Sequence, residues 1–235
     1  MTEDAMTADP VLVRFARDFS KGDPDAVARA QAFAAAPPTV PEQMGFYGSE
    51  DYGPQARAYL ATVSHLNNEG HVQDVEDKYV IELLHRWRDE GRFSPDDLPP
   101  AAKAVFGPML ADDFSGLWDA PDALSRYVET FCATFAEAAA ELDAALAGKG
   151  DALLSIDATD GDTVFFAFVA PEIAERWRDK ALCEYEGYVA GVRSPMWDRM
   201  YAFLGYGLGL YHEPGWREAP PPGTPSRKPD IPFAL

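Results

Sequence analysis

The sequence contains few of the residues that a catalytic or cofactor-binding motif requires. Its only two cysteines, Cys132 and Cys183, are too few for a disulfide framework or a zinc site, and this small number is typical of a reducing compartment. A glycine-flanked serine, a phosphate-binding loop and a dinucleotide fingerprint are all missing. We therefore predict no cofactor and favour a non-enzymatic role.

Long apolar runs are missing as well. No stretch approaches the roughly 20 apolar residues of a membrane span, and the acidic first ten residues do not resemble a signal peptide. We therefore predict a cytoplasmic protein, of the well-solvated acidic kind that is common in bacteria.

Basic side chains are scarce relative to acidic ones. The chain of 235 residues carries 20 Lys and Arg against 39 Asp and Glu, a formal net charge of −19, and residues 1–150 alone hold 26 acidic and 12 basic side chains. A charge of this size repels nucleic acid and anionic lipid, and it attracts a basic surface. We therefore predict no nucleic acid and no membrane as partners, and a basic protein as the partner class.

The chain has enough apolar residues to bury a core, because 47% of it is hydrophobic and 12% is aromatic. In residues 1–150 the apolar positions follow the helical period, and proline or aspartate marks the helix starts. The predicted helices are a short one after Asp9-Pro10 ending near Phe19, then Asp23-Pro24 to Ala36, Pro54 to Asn68, Asp74 to Glu90, Ala101 to Phe106, and Pro121 to Ala147.

After residue 150 the apolar pattern changes from helix to strand. Residues 151–158 and 163–169 are rich in β-branched and aromatic residues, and Asp160-Gly161 between them is a strong hairpin signal. A two-residue turn there places Ile156 opposite Phe165. Because the second strand is apolar on both faces, we predict that it is an interior strand and that residues 182–192 form the third strand beside it.

These patterns predict an α+β fold in one compact domain. We divide it into a mainly helical acidic region (1–150), a region with the β-hairpin of residues 152–169 (151–212), and a proline-rich extended tail (213–235). The last helix in this scheme starts at Ser194-Pro195 and buries one face, which comprises Trp197, Met200, Tyr201 and Leu204.

Histidines and carboxylates between residues 65 and 85 suggest a metal-dependent hydrolase as an alternative. Its ligands would be His65, His71, Asp74 and His85, with Glu69 as the base. A helical wheel argues against it, because it places His85 on a charged outer face and turns His65 away from the apolar stripe of its helix. We therefore predict no metal here.

The hypothesis we favour is a non-catalytic binding protein of the immunity or inhibitor type, which masks a basic surface of its partner. The predicted contact residues are Asp74, Glu76, Asp77, Glu82 and Asp89. A further alternative is a structural or assembly subunit that dimerises through an apolar seam on helix 121–147. An intramolecular helical core explains that seam better, because three heptads make only a short coiled coil.

Overall fold

The structure, a computed structural model, describes residues 10–39, 52–76, 79–111, 121–158, 163–185 and 188–193, together with Trp197, Met200, Tyr201 and Leu204. Seven α-helices and five strands lie in this part of the chain. In chain order they are α1 (Val11–Phe19), α2 (Pro24–Ala35), α3 (Pro54–Asn68), β1 (Gln73–Glu76), α4 (Val80–Asp89), α5 (Pro100–Leu110), α6 (Pro121–Ala147), β2 (Ala152–Asp157), β3 (Thr163–Val169), α7 (Pro171–Trp177), β4 (Lys180–Tyr185) and β5 (Tyr188–Arg193).

The five strands form one antiparallel sheet in the order β1-β3-β2-β5-β4. This confirms the predicted α+β class. It also confirms the predicted pairing within the hairpin, because Ile156 lies opposite Phe165 and Leu154 lies opposite Ala167. The turn at Asp160-Gly161 and the tail of residues 213–235 lie outside the described residues.

Helices cover both faces of the sheet. Successive residues of β3 point to opposite faces. Val164 and Phe166 pack into a core with α4, α5 and α6, while Phe165 and Ala167 pack into a second core with α1, α3 and α7. All four side chains are buried, which explains why the strand lacks a polar face.

Two predicted elements are wrong in their boundaries. The segment from Asp74 to Glu90 is not one helix: residues 73–76 form β1, which pairs with β3, and the helix begins at Val80. Likewise, residues 182–192 are not one strand but parts of β4 and β5, which pair with each other. They do not lie beside the second hairpin strand either, because β3 has β1 as its other neighbour and β5 pairs with β2. In both places pairing with a neighbouring strand satisfies backbone groups, and this outweighs the local pattern.

The apolar seam of α6 lies inside the molecule. Val128, Phe131, Phe135, Ala138 and Leu142 are buried in the core that α6 shares with α4 and α5. The ring of Phe135 meets Phe106 of α5 edge-on, with the ring centroids 6.0 Å apart. The intramolecular interpretation of this seam is therefore confirmed. The same core buries the four residues predicted to face inward on the last helix, which are Trp197, Met200, Tyr201 and Leu204.

A close backbone approach between β4 and β5 requires glycine at position 191. A Cβ atom there would overlap the carbonyl oxygen of Lys180 and lie 2.8 Å from the Cα of Ala181, where the pairing of the two strands is irregular. We predict that Gly191→Ala destabilises the fold by at least about 3 kcal/mol, the upper end of typical overpacking costs, measured by urea unfolding.

Gly53 provides the matched control for this experiment. It precedes α3, and an added Cβ atom there would have no neighbour within 4 Å. Gly53→Ala should therefore cost less than about 1 kcal/mol. Equal unfolding midpoints for the two variants would show that the close approach at Gly191 does not exist.

Candidate functional site

The predicted contact carboxylates are exposed and border one edge of the sheet. Asp74 and Glu76 lie on β1 and are exposed, while Val75 between them is buried against α4. Glu82 and Asp89 are exposed on α4, the helix that covers the face of the sheet on which Val75 lies. Asp77 lies outside the described residues. Two of the four described carboxylates therefore lie on β1 itself and two on the helix packed against it, so they do not form one flat patch.

Contacts of Gln73 hold α4 against the β1 edge. The indole Nε1 of Trp87 donates to Oε1 of Gln73 at 2.9 Å, and Nε2 of Gln73 donates to Oε1 of Glu90 at 2.9 Å. Trp87 is completely buried, so this hydrogen bond satisfies a polar group that has no access to water. The position of Glu82 and Asp89 relative to β1 is fixed by these contacts.

Tyr79 is the one exposed large hydrophobic side chain in the described residues, with 46% of its surface accessible. It directly precedes α4 and follows β1 by three residues. A helix starting at Asp74 would have placed Tyr79 in the apolar stripe with Leu83 and Trp87. Because the helix starts at Val80, Tyr79 instead adds an aromatic surface to the carboxylates around β1.

The proposed metal ligands are separated by the sheet. His65 and His71 lie on the α3 side, where their Nε2 atoms are 3.4 Å from Oδ2 of Asp25 and 3.7 Å from Oδ2 of Asp23. His85 lies on the α4 side. Among the described residues, no group of three or more His, Cys, Asp or Glu side chains is arranged to hold a metal ion. The metal-dependent hydrolase built on His65, His71, Asp74 and His85 therefore has no support in the geometry.

His85 is not the solvated side chain that the helical wheel predicts. It is half-buried, and its Nε2 lies 3.0 Å from the carbonyl oxygen of Met109, while Nη1 of Arg88 donates to the carbonyl of Leu110 at 3.1 Å. The last carbonyls of a helix lack partners within it and carry partial negative charge. His85 and Arg88 of α4 therefore satisfy the C-terminal end of α5.

The sheet contains a buried ion pair that is not evident from the sequence. Nε of Arg193 donates to Oδ2 of Asp157 at 3.0 Å, and the two side chains are 10% and 0% exposed. Arg193 also donates through Nη2 to the carbonyl of Val189 at 2.7 Å, and Tyr59 donates to the carbonyl of Asp157 at 2.9 Å. In the sequence, Asp157 stands out only as one of three carboxylates around Gly161. Only the pairing of β2 with β5, which brings it diagonally across from Arg193, reveals its role.

The cysteines are poor candidates for nucleophiles. Burial, together with the negative charge of Asp157, raises the pKa of the Cys183 thiol to about 12. This thiol stays protonated near neutral pH, whereas nucleophilic attack requires a thiolate. The half-buried Cys132 accepts a hydrogen bond from the hydroxyl of Tyr201 at 3.6 Å, and burial raises the pKa of this hydroxyl, so that it stays a donor near neutral pH.

A groove of about 340 Å³ between α1, α2 and α3 is lined mainly by apolar residues. The hydroxyl of Tyr59, one of its lining residues, is already bound to the carbonyl of Asp157. The groove therefore offers shape and apolar surface, but its lining contains no pair of nucleophile and base.

Comparison with known proteins adds no functional assignment: no family model, no curated protein and no solved structure matches this chain. Within the described residues, none of the helices has both the length and the apolar character that crossing a membrane requires.

We predict that Asp157→Asn destabilises the fold by about 3–5 kcal/mol, because it leaves the Arg193 charge buried without a counter-ion. The matched control is Asp151→Asn. The Asp151–Arg92 pair has the same 3.0 Å distance, but its side chains are 32% and 27% exposed, so its loss should cost less than about 1 kcal/mol. Urea unfolding of both variants measures the difference. Similar costs would show that the Asp157–Arg193 pair is solvated.

We also predict an acid-dependent contribution from Asp23, which caps α2. Hydrogen bonds from the backbone N–H groups of Ala26 and Asp25 lower the pKa of this carboxyl, and the charges of His71 and His65 lower it further. A carboxyl with a lowered folded-state pKa stabilises the fold above its unfolded pKa, about 3.9. That stabilisation is lost as the pH falls through the folded pKa.

Asp23→Asn should therefore reduce the stability at pH 6 and flatten its decline below about pH 4. Urea unfolding at pH 6 and at a series of pH values below about 4 measures both effects. Glu129→Gln, at an exposed position in the middle of α6, is the control and should leave the pH profile unchanged. An Asp23→Asn profile that runs parallel to the wild type would contradict this linkage.

Proposed function

We propose that this protein is a non-catalytic, cytoplasmic binding protein, of the immunity or inhibitor type, that masks a basic surface of a partner protein. The observation that carries the proposal is the set of exposed carboxylates at the β1 edge, namely Asp74, Glu76, Glu82 and Asp89. These side chains belong to a chain with a net charge of −19, so long-range attraction and local pairing favour the same basic partner.

The chemistry of this edge suits a basic partner. Asp74, Glu76, Glu82 and Asp89 are all exposed, and Asp89 contacts Arg88, its neighbour in sequence. A partner that brings arginine or lysine side chains to this edge would form charge-assisted hydrogen bonds with these carboxylates.

Exposed aromatic surface strengthens the same interpretation. Tyr79 is exposed and lies in the chain between Glu76 of β1 and Glu82 of α4, and tyrosine is enriched among the residues that dominate binding energy at protein interfaces. A phenol ring can also pack against a lysine or arginine side chain through a cation–π contact. The combination of charge and one aromatic ring is typical of a surface that recognises a basic protein.

The test compares how the wild type and a variant capture basic proteins from cell lysate at low and at high salt. The variant carries the changes Asp74→Asn, Glu76→Gln, Glu82→Gln and Asp89→Asn. Exposed ion pairs contribute about 0.2–1 kcal/mol each. The four changes should therefore weaken binding of a retained partner by at least about fourfold at low salt. Wild-type protein should release that partner at high salt.

A second variant controls for net charge. It changes Glu129, Glu137, Glu175 and Glu184, all exposed and away from β1, to glutamine, and so loses the same four charges. This variant should keep its partner. Retention of no basic protein by the wild type would contradict the proposal, and equal loss of binding in both variants would contradict the choice of surface.

A further inference from the structure

The outer edge of β1 has no other strand beside it in the described part of the chain. β1 stands at the end of the sheet, and β3 is its one neighbour among the described strands, with Gln73 to Glu76 opposite Phe166 to Thr163. In an antiparallel ladder, alternate residues direct both their N–H and C=O groups to the same side of the strand. The residues of β1 that do not bond to β3 therefore direct their backbone groups outward.

We infer that the basic partner docks in an extended conformation along this edge and adds a sixth strand beside β1. The inference rests on the proposed function, because it specifies how the same surface binds its partner. Edge-strand addition uses main-chain hydrogen bonds for affinity and alternate side chains for specificity. β1 can supply both. Its outward backbone groups can form the main-chain hydrogen bonds, and the alternation of the exposed Asp74 and Glu76 with the buried Val75 can select the side chains.

Charge determines which strand the edge accepts. Two copies of β1 pairing with each other would bring Asp74 and Glu76 close to their own counterparts, and like charges opposite each other destabilise a strand pair. Charged residues at an edge are a common protection against such self-association. A segment with lysine or arginine meets opposite charges at the same positions, so the carboxylates reject a second copy and select a basic segment.

The spacing of the β1 side chains specifies the sequence pattern of the added strand. Asp74 and Glu76 are two residues apart and lie on one face, and residues directly opposite on an adjacent strand share that face with Cβ atoms about 5 Å away. Lysine or arginine at alternate positions therefore pairs with both carboxylates. The residues of the added strand between its basic positions fall on the face of Gln73 and Val75, which α4 covers. Small or β-branched side chains suit these positions.

The test uses the full chain and synthetic peptides in which lysine alternates with valine or threonine. Fluorescence anisotropy at low ionic strength measures their binding against a helix-forming peptide of alanine and lysine with the same charge. The alternating peptide should bind at least tenfold more tightly. The Asp74→Asn/Glu76→Gln variant should lose this preference, and Glu184→Gln should keep it, since Glu184 lies on β4 at the other end of the sheet.

Backbone methylation of the peptide separates strand addition from charge attraction. Two peptides carry N-methyl groups, one on the lysines and the other on the intervening residues. Only one of these two sets of amides can face β1. Methylation of one set should therefore weaken binding at least tenfold, and methylation of the other set should leave binding unchanged. In a separate measurement, amide hydrogen exchange of residues 73–76 should become slower when the unmethylated peptide binds.

The outcomes distinguish the two proposals. Equal binding of both methylated peptides and of the helical peptide would overturn strand addition and leave the charge-based function standing. Failure of every basic peptide to bind at low salt would overturn both. Slower exchange in residues 73–76, together with the loss of binding for only one methylated peptide, would support both.

Discussion

The double-sided burial of β3 is the constraint on which the rest of the structure depends. A strand with Phe165 on one face and Phe166 on the other cannot lie at a solvated surface, so each face must carry its own apolar layer. The rings of Trp87 and Phe166 meet edge-on on the α4 side, with their centroids 5.4 Å apart. On the opposite side, Phe165 shares a core with α1, α3 and α7. The helices of the N-terminal region are thus needed on both sides of a sheet formed mostly by later residues.

This arrangement also explains which parts of the fold could be predicted from the sequence. The pairing of Ile156 with Phe165 follows from two strong strand patterns that flank a turn signal, so local information is sufficient. β1 has only four residues, too few for a periodic pattern, and its pairing partner is distant in the chain. β4 and β5 share one continuous strand-like pattern, which hides the reversal between them.

The candidate site shows the same limit. The surface exposure of Asp74, Glu76, Glu82 and Asp89 could be expected, because charged side chains are rarely fully buried. The role of His85 could not, since its partner Met109 comes from a different helix. The Asp157–Arg193 pair was equally hidden, because only strand pairing makes these two residues neighbours. Properties of single residues were predictable, whereas properties of pairs required the tertiary structure.

The position of β1 in the chain has a consequence for folding kinetics. β2 and β3 follow each other in sequence, as do β4 and β5, so each of these two pairs can form with little loss of chain entropy. The pairing of Gln73 with Phe166, by contrast, must close a loop that contains α4, α5 and α6. Because closing a long loop costs chain entropy before the contact forms, we expect this pairing to form after the other two. The strand that carries Asp74 and Glu76 is thus expected to be the last to join the sheet.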